Sequence, residues 1–69
     1  MEVLRKLAKN GRVYRIVKDY AGLTPLFSIE FLREYEDDFR AWFPAYEPKN
    51  KIYPSLQDCL EDFKKFIAA

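Results

Sequence analysis

Glu34, Glu36, Asp37 and Asp38 crowd one short stretch of this chain. Carboxylates placed together can act as general acid and base, or hold a hard cation through oxygen ligands. The spacing here departs from that of a calcium loop, and no Gly supplies the sharp turn such a loop needs. The cluster therefore reads as a solvated acidic turn. The chain has no His, which leaves proton transfer to carboxylates, Lys or Tyr. It also lacks a Gly-rich phosphate loop and a nucleophile motif. Cys59 is the one thiol, and with no His it cannot build a tetrahedral zinc site. Its place early in a predicted helix would lower its pKa. However, it shares an apolar stripe with Leu60 and Phe63, the setting of an inert buried thiol. The expectation is a protein that is not an enzyme and uses no cofactor and no metal.

The basic residues present a second kind of chemistry. Residues 1–18 hold Arg5, Lys6, Lys9, Arg12, Arg15 and Lys18 against Glu2 alone, while the rest of the chain is acidic in balance and the total is +1. Arg5, Arg12, Arg15 and Lys18 can meet phosphates, and Tyr14 or Tyr20 can stack on bases. A nucleic-acid-binding regulator built on this segment is one reading. The near-zero net charge weighs against it, because phosphate binding usually shows a clear basic excess.

These side chains need elements to position them. The 69 residues make one small domain, a size at which folding buries only about 60% of the unfolded surface. No disulfide within the chain can compensate. The core must, and one Trp, five Tyr and six Phe supply it. No apolar run approaches the length of a membrane span. The free Cys and the absence of an export pattern near Met1 lead us to expect a cytoplasmic protein.

For residues 2–9, helical spacing of Val3, Leu4, Leu7 and Ala8 competes with a hairpin strand. Register favours the hairpin. A two-residue turn would set Lys9 opposite Arg12, Lys6 opposite Arg15 and Glu2 opposite Asp19, three like-charge pairs. A three-residue loop, Lys9-Asn10-Gly11, puts Gly at the left-handed position of a type I turn with a bulge. It pairs Leu7 with Val13, Lys6 with Tyr14, Leu4 with Ile16, Val3 with Val17 and Glu2 with Lys18, and leaves only Arg5 opposite Arg15 unfavourable. A loop over Ala21–Pro25 leads to a third strand, where Phe27, Ile29 and Phe31 alternate with Ser28, Glu30 and Leu32. Two registers of that strand are open, one with Ile16 opposite Ile29 and one with Tyr20 opposite Phe27. Residues 36–46 fit a short helix through Phe39, Trp42, Phe43 and Tyr46. They also fit a fourth strand that turns at Glu36-Asp37-Asp38 and sets Leu32 opposite Trp42, which is the preferred reading. Pro44, Pro48 and Pro54 bound an extended crossover, Ala45 to Tyr53. Ser55 with Asp58 then caps a helix whose apolar stripe is Leu56, Cys59, Leu60, Phe63, Phe66 and Ile67.

The expected fold is α+β, an antiparallel β-meander of three or four strands packed on one C-terminal α-helix. Its alternation puts Leu4, Tyr14, Ile16, Ile29 and Phe31 under the helix. Val3, Leu7, Val13, Val17, Leu32 and Trp42 fall on the other face, around Arg5 and Arg15. A small meander with one covering helix should show water a polar outer face, and this one is half apolar. A protein interface is expected there, with Trp42 and the arginines as anchors. It would take a second copy of the chain as a homodimer, or another protein. Arginine stems and Trp42 folding over the patch, or residues 45–53 covering it, would hide it instead. Small modules of this kind serve as regulators, inhibitors or adaptors, including those encoded by phages and mobile elements.

Overall fold

A computed structural model describes residues 1–46 and 51–69. Four strands run in chain order: β1 (Glu2–Leu7), β2 (Val13–Ala21), β3 (Thr24–Glu34) and β4 (Arg40–Pro44). Each pairs antiparallel with the next, and one helix, α1 (Leu56–Ala68), closes the chain. The expected ββββα arrangement is the observed one. Residues 2–9 do not form a helix, and neither do residues 39–44. No helix among the described residues is long and apolar enough to cross a membrane.

The first turn is built as its sequence requires. Gly11 takes φ +91° and donates to the Ala8 carbonyl at 3.0 Å, while the Asn10 Oδ1 accepts from the Arg12 amide at 2.9 Å. Leu7 then faces Val13, Lys6 faces Tyr14, Arg5 faces Arg15 and Leu4 faces Ile16. Beyond Leu4 the expected register fails. A bulge at Val3 sets Glu2, not Val3, opposite Val17, and Met1 rather than Glu2 exchanges hydrogen bonds with Lys18. The physical gain is charge. An unbulged strand would turn Glu2 toward the helix side with Lys18, whereas the bulge brings its carboxylate to Arg5 and Arg15.

The second hairpin is tighter than a loop over Ala21–Pro25. Ala21 pairs with Thr24 and Tyr20 with Pro25, leaving only Gly22 and Leu23 in the turn. Gly22 has φ +64°, at the first central position, where a type II′ turn uses glycine. The register is the one with Ile16 opposite Ile29 and Tyr14 opposite Phe31. In the third turn the Tyr35 amide donates to the Phe39 carbonyl at 2.8 Å across Glu36–Asp38, where Asp37 (φ +69°) and Asp38 (φ +60°) take left-handed backbone, and Leu32 faces Trp42.

The extended crossover Ala45–Tyr53 ends in a strand that the sequence reading does not include. Ile52–Tyr53 forms a short strand, β5, opposite Ser28 and Phe27. β4 and β5 thus share one edge of β3, β4 along Glu30–Glu34 and β5 along Phe27–Ser28. Pro48 lies outside the described residues.

Ser55 Oγ accepts the Asp58 amide at 3.2 Å and starts α1. The helix lies over β2, β3 and β5 and drives Cys59 and Phe63 into the sheet. Ile16, Ile29, Cys59 and Phe63 are fully buried, with Ala8, Tyr14, Phe27 and Tyr53 nearly so. Leu4, Phe31, Leu56, Leu60, Phe66 and Ile67 complete the core from its margins. At the far end the Lys9 amide donates to the Ile67 carbonyl at 2.9 Å, so the first turn also satisfies one of the helix's last carbonyls.

A Cβ added to Gly11 meets nothing within 4 Å, so Gly11→Ala carries only the cost of a left-handed Cβ. Chemical denaturation should show a loss of about 1–2 kcal/mol, with the fold intact. Phe63→Ala should cost about 3–5 kcal/mol, enough to unfold a domain of marginal stability, as read by loss of the far-ultraviolet helix signal.

Candidate functional site: the outer face of the sheet

The face of the sheet turned away from α1 is organised around Trp42. Strand alternation brings Leu7 and Val13 to it as one facing pair, Leu32 and Trp42 as a second, and Arg5 and Arg15 as a third. Glu30 faces Arg15, and Ile52 faces Ser28 at the β5 end. Arg15 lies over the indole with its Cζ 4.0 Å from the ring centroid, and Arg5 follows at 5.1 Å. Both guanidinium groups are held by carboxylates. Arg15 Nε donates to Glu30 Oε1 at 2.9 Å and its Nη2 lies 2.8 Å from the same oxygen. Arg5 Nη2 donates to Glu2 Oε1 at 2.7 Å, and Arg15 Nη1 reaches that oxygen at 3.4 Å. The bond from Arg5 holds the Glu2 carboxyl below its ordinary range, with Arg15 adding to the effect. The like-charge pair Arg5–Arg15 is thus answered by Glu2 on one side and Glu30 on the other.

The face is part covered and part bare. The Arg15 and Arg5 guanidinium groups lie over Trp42 and cover part of it. Val13, Val17, Leu32 and Trp42 are half-buried. Leu7 remains 68% exposed, Ile52 58% and Val3, at the bulge, 41%. The chain after β4 does not cover this face where it is described. Tyr46 packs edge-on against Phe66 of the helix at 5.2 Å, and Tyr53 is in the core.

The residues of the nucleic-acid reading do not share one surface. Arg5 and Arg15 lie on the outer face, each with a carboxylate. Lys18 faces the other way, its Nζ 5.3 Å from the Tyr20 ring and 5.9 Å from Phe27. Arg12 lies over Phe31 at 4.9 Å, beside Arg33, Pro44 and Ala45.

Sequence reasoning did not assign Glu2 or Glu30 to the site, although the spacing of Arg15 and Glu30 in one candidate register carried the signal. It also missed a polar cluster on the helix side. Asp62 Oδ2 accepts the Tyr53 hydroxyl at 2.6 Å, the Tyr46 hydroxyl at 3.1 Å and Lys51 Nζ at 3.1 Å. The Tyr53 hydroxyl, and then Lys51, hold the Asp62 carboxyl far below the carboxylate range. Burial, and then the bond to Asp62, push Tyr53 well above the usual phenol range, and Lys51 is raised by the same carboxylate. A raised Tyr and a raised Lys are both held protonated, the opposite of what a general base needs. The cluster latches both sides of the β4–α1 connection to the helix. Cys59 is fully buried, and burial pushes its thiol up to about 11, away from the reactive range. Among the described residues no group of three or more potential ligands is gathered for a metal ion.

Comparison with protein-family models, with curated proteins and with solved structures finds no match.

Three outcomes follow from the latch and the thiol. Because the Asp62 pKa is lower in the folded state than in the unfolded, its contribution is complete above the ordinary carboxylate pKa of about 4 and fades as pH falls below it. The stability gap between wild type and Asp62→Asn should therefore be full at neutral pH and close in strong acid, as followed by thermal melts across an acid series. Tyr53→Phe should cost roughly 1–2 kcal/mol at neutral pH. Cys59 should react with a thiol reagent only at the rate of unfolding, and prompt labelling of the folded protein would contradict its placement.

Proposed function

We propose that this protein is a non-enzymatic interaction module that self-associates through the outer face of its sheet. One observation carries the reading: apolar side chains stay exposed around an already ordered Arg–Trp–Glu cluster, and no described segment covers them. Leu7, Val3 and Ile52 ring the half-buried Val13, Val17, Leu32 and Trp42. Trp and Arg are the residue types most often found as energetic anchors of interfaces, and pinning them in advance lowers the entropy cost of binding.

Charge argues for a second copy as the occupant. Arg5 and Arg15 lie among Glu2 and Glu30, so the face is balanced rather than single-signed. A two-fold axis through such a surface can set the arginines of one copy against the carboxylates of the other. A strongly basic face would have repelled its own copy. The module would then act as a small regulator, inhibitor or adaptor, and the free thiol at Cys59 suits a reducing compartment such as the cytoplasm.

Sedimentation velocity tests the proposal. Wild type should sediment as a dimer at micromolar concentration. Leu7→Glu, which changes an exposed side chain and leaves the core alone, and Leu32→Glu, next to Trp42, should both shift the protein to monomer with the helix signal retained. A clean wild-type monomer at high micromolar concentration would overturn the reading.

A further inference from the structure

The sheet has a second open surface, at the edge of β1. In the strand order β1-β2-β3-β4, β1 pairs with β2 alone among the described residues, so its other side presents a row of main-chain donors and acceptors. Edge strands of this kind accept an added strand. The helix lies over β2, β3 and β5, which leaves β1 overhanging the flank of α1. Between them runs a groove of about 180 Å³ lined by Leu4, Lys6, Leu60, Phe63, Lys64 and Ile67. Its floor is apolar and can seat one large side chain. Its rim carries two exposed lysines, Lys6 from the strand and Lys64 from the helix, and neither has a carboxylate partner among the described residues.

We propose that the β1 edge and this groove bind an extended acidic peptide segment of a partner protein, which adds to the sheet beside β1. Main-chain hydrogen bonds to the edge supply affinity for any extended chain. Specificity comes from side chains on alternate positions, since residues of an added strand point to the two faces in turn. Those on the helix side make both contacts, one apolar residue entering the groove over Leu4, Leu60 and Ile67 and acidic residues two positions before and after it reaching Lys6 and Lys64. A second copy's β1 edge suits this surface less well than an acidic chain, because it carries two cations, Arg5 and Lys6, against one carboxylate, Glu2. The Val3 bulge limits the regular edge to Leu4–Leu7, beside the groove, where an added strand pairs. The surface is separate from the outer face and does not depend on self-association.

The test uses a fluorescein-labelled peptide with threonine at every second position and glutamate, isoleucine and glutamate in turn between them, so that these three share one face of an added strand, its lysine-for-glutamate counterpart, and an acidic version N-methylated at alternate nitrogens. The acidic peptide should bind, with amide shifts in nuclear magnetic resonance confined to β1 and the Leu60–Ile67 flank of α1. The Lys6→Glu/Lys64→Glu double variant, changed only at exposed side chains, should bind it about tenfold or more weakly. The N-methylated peptide, unable to complete the ladder, should bind still less. Equal binding of the lysine peptide would overturn the proposal, as would shifts centred on Trp42 or no binding at millimolar peptide. Edge-to-edge dimerisation through β1 would overturn it too.

Discussion

A single positive φ at Gly11 decides which face the side chains of the first hairpin occupy from Leu4 to Ile16. Side chains alternate along a strand, so a slip of one residue would exchange the two faces. With Gly11 at the left-handed position of a three-residue loop, Leu4, Tyr14 and Ile16 go under the helix, and Arg5, Leu7, Val13 and Arg15 go to the outer face. The same loop bonds the Lys9 amide to the Ile67 carbonyl. It therefore anchors the helix as well as the sheet.

The two faces solve different problems. The helix side is a conventional apolar core in which Ile16, Ile29 and Phe63 exclude water, closed at its margin by the Asp62 latch with Tyr46, Tyr53 and Lys51. No buried side-chain polar atom among the described residues is left without a partner, as a stable interior requires. The outer side is a polar cluster laid over an aromatic ring. Arg15 is central to it, bound by Glu30 and Glu2 and stacked on Trp42. Exposed ion pairs add little stability. Here their effect is order: they fix two long side chains over an indole, on a face whose margins stay apolar.

Much of this was legible in the residues themselves. Like-charge pairs weighed against the two-residue turn at Asn10, and Leu32 opposite Trp42 pointed to β4. The register of the second hairpin was also written there, in Gly22. A shift to Tyr20 opposite Phe27 would have placed Leu23 and Thr24 in a two-residue turn, where a positive φ is needed and glycine is not available. The Val3 bulge was not legible, because its gain is the meeting of Glu2 with Arg5 and Arg15, which lie up to 13 positions apart in the chain. Nor was β5. Two residues between prolines carry no period, and Ile52–Tyr53 becomes a strand only because β4 ends at Pro44 and leaves the rest of the β3 edge open.

Placing Trp42 at the centre of a contact surface makes it the natural reporter, since it is the sole tryptophan. Its fluorescence, with iodide as quencher, can be followed as the protein is diluted. Association through the outer face predicts an emission that shifts to the red and becomes more accessible to iodide on dilution, with one midpoint for both changes. Emission and quenching that stay constant from high micromolar to nanomolar concentration would contradict it.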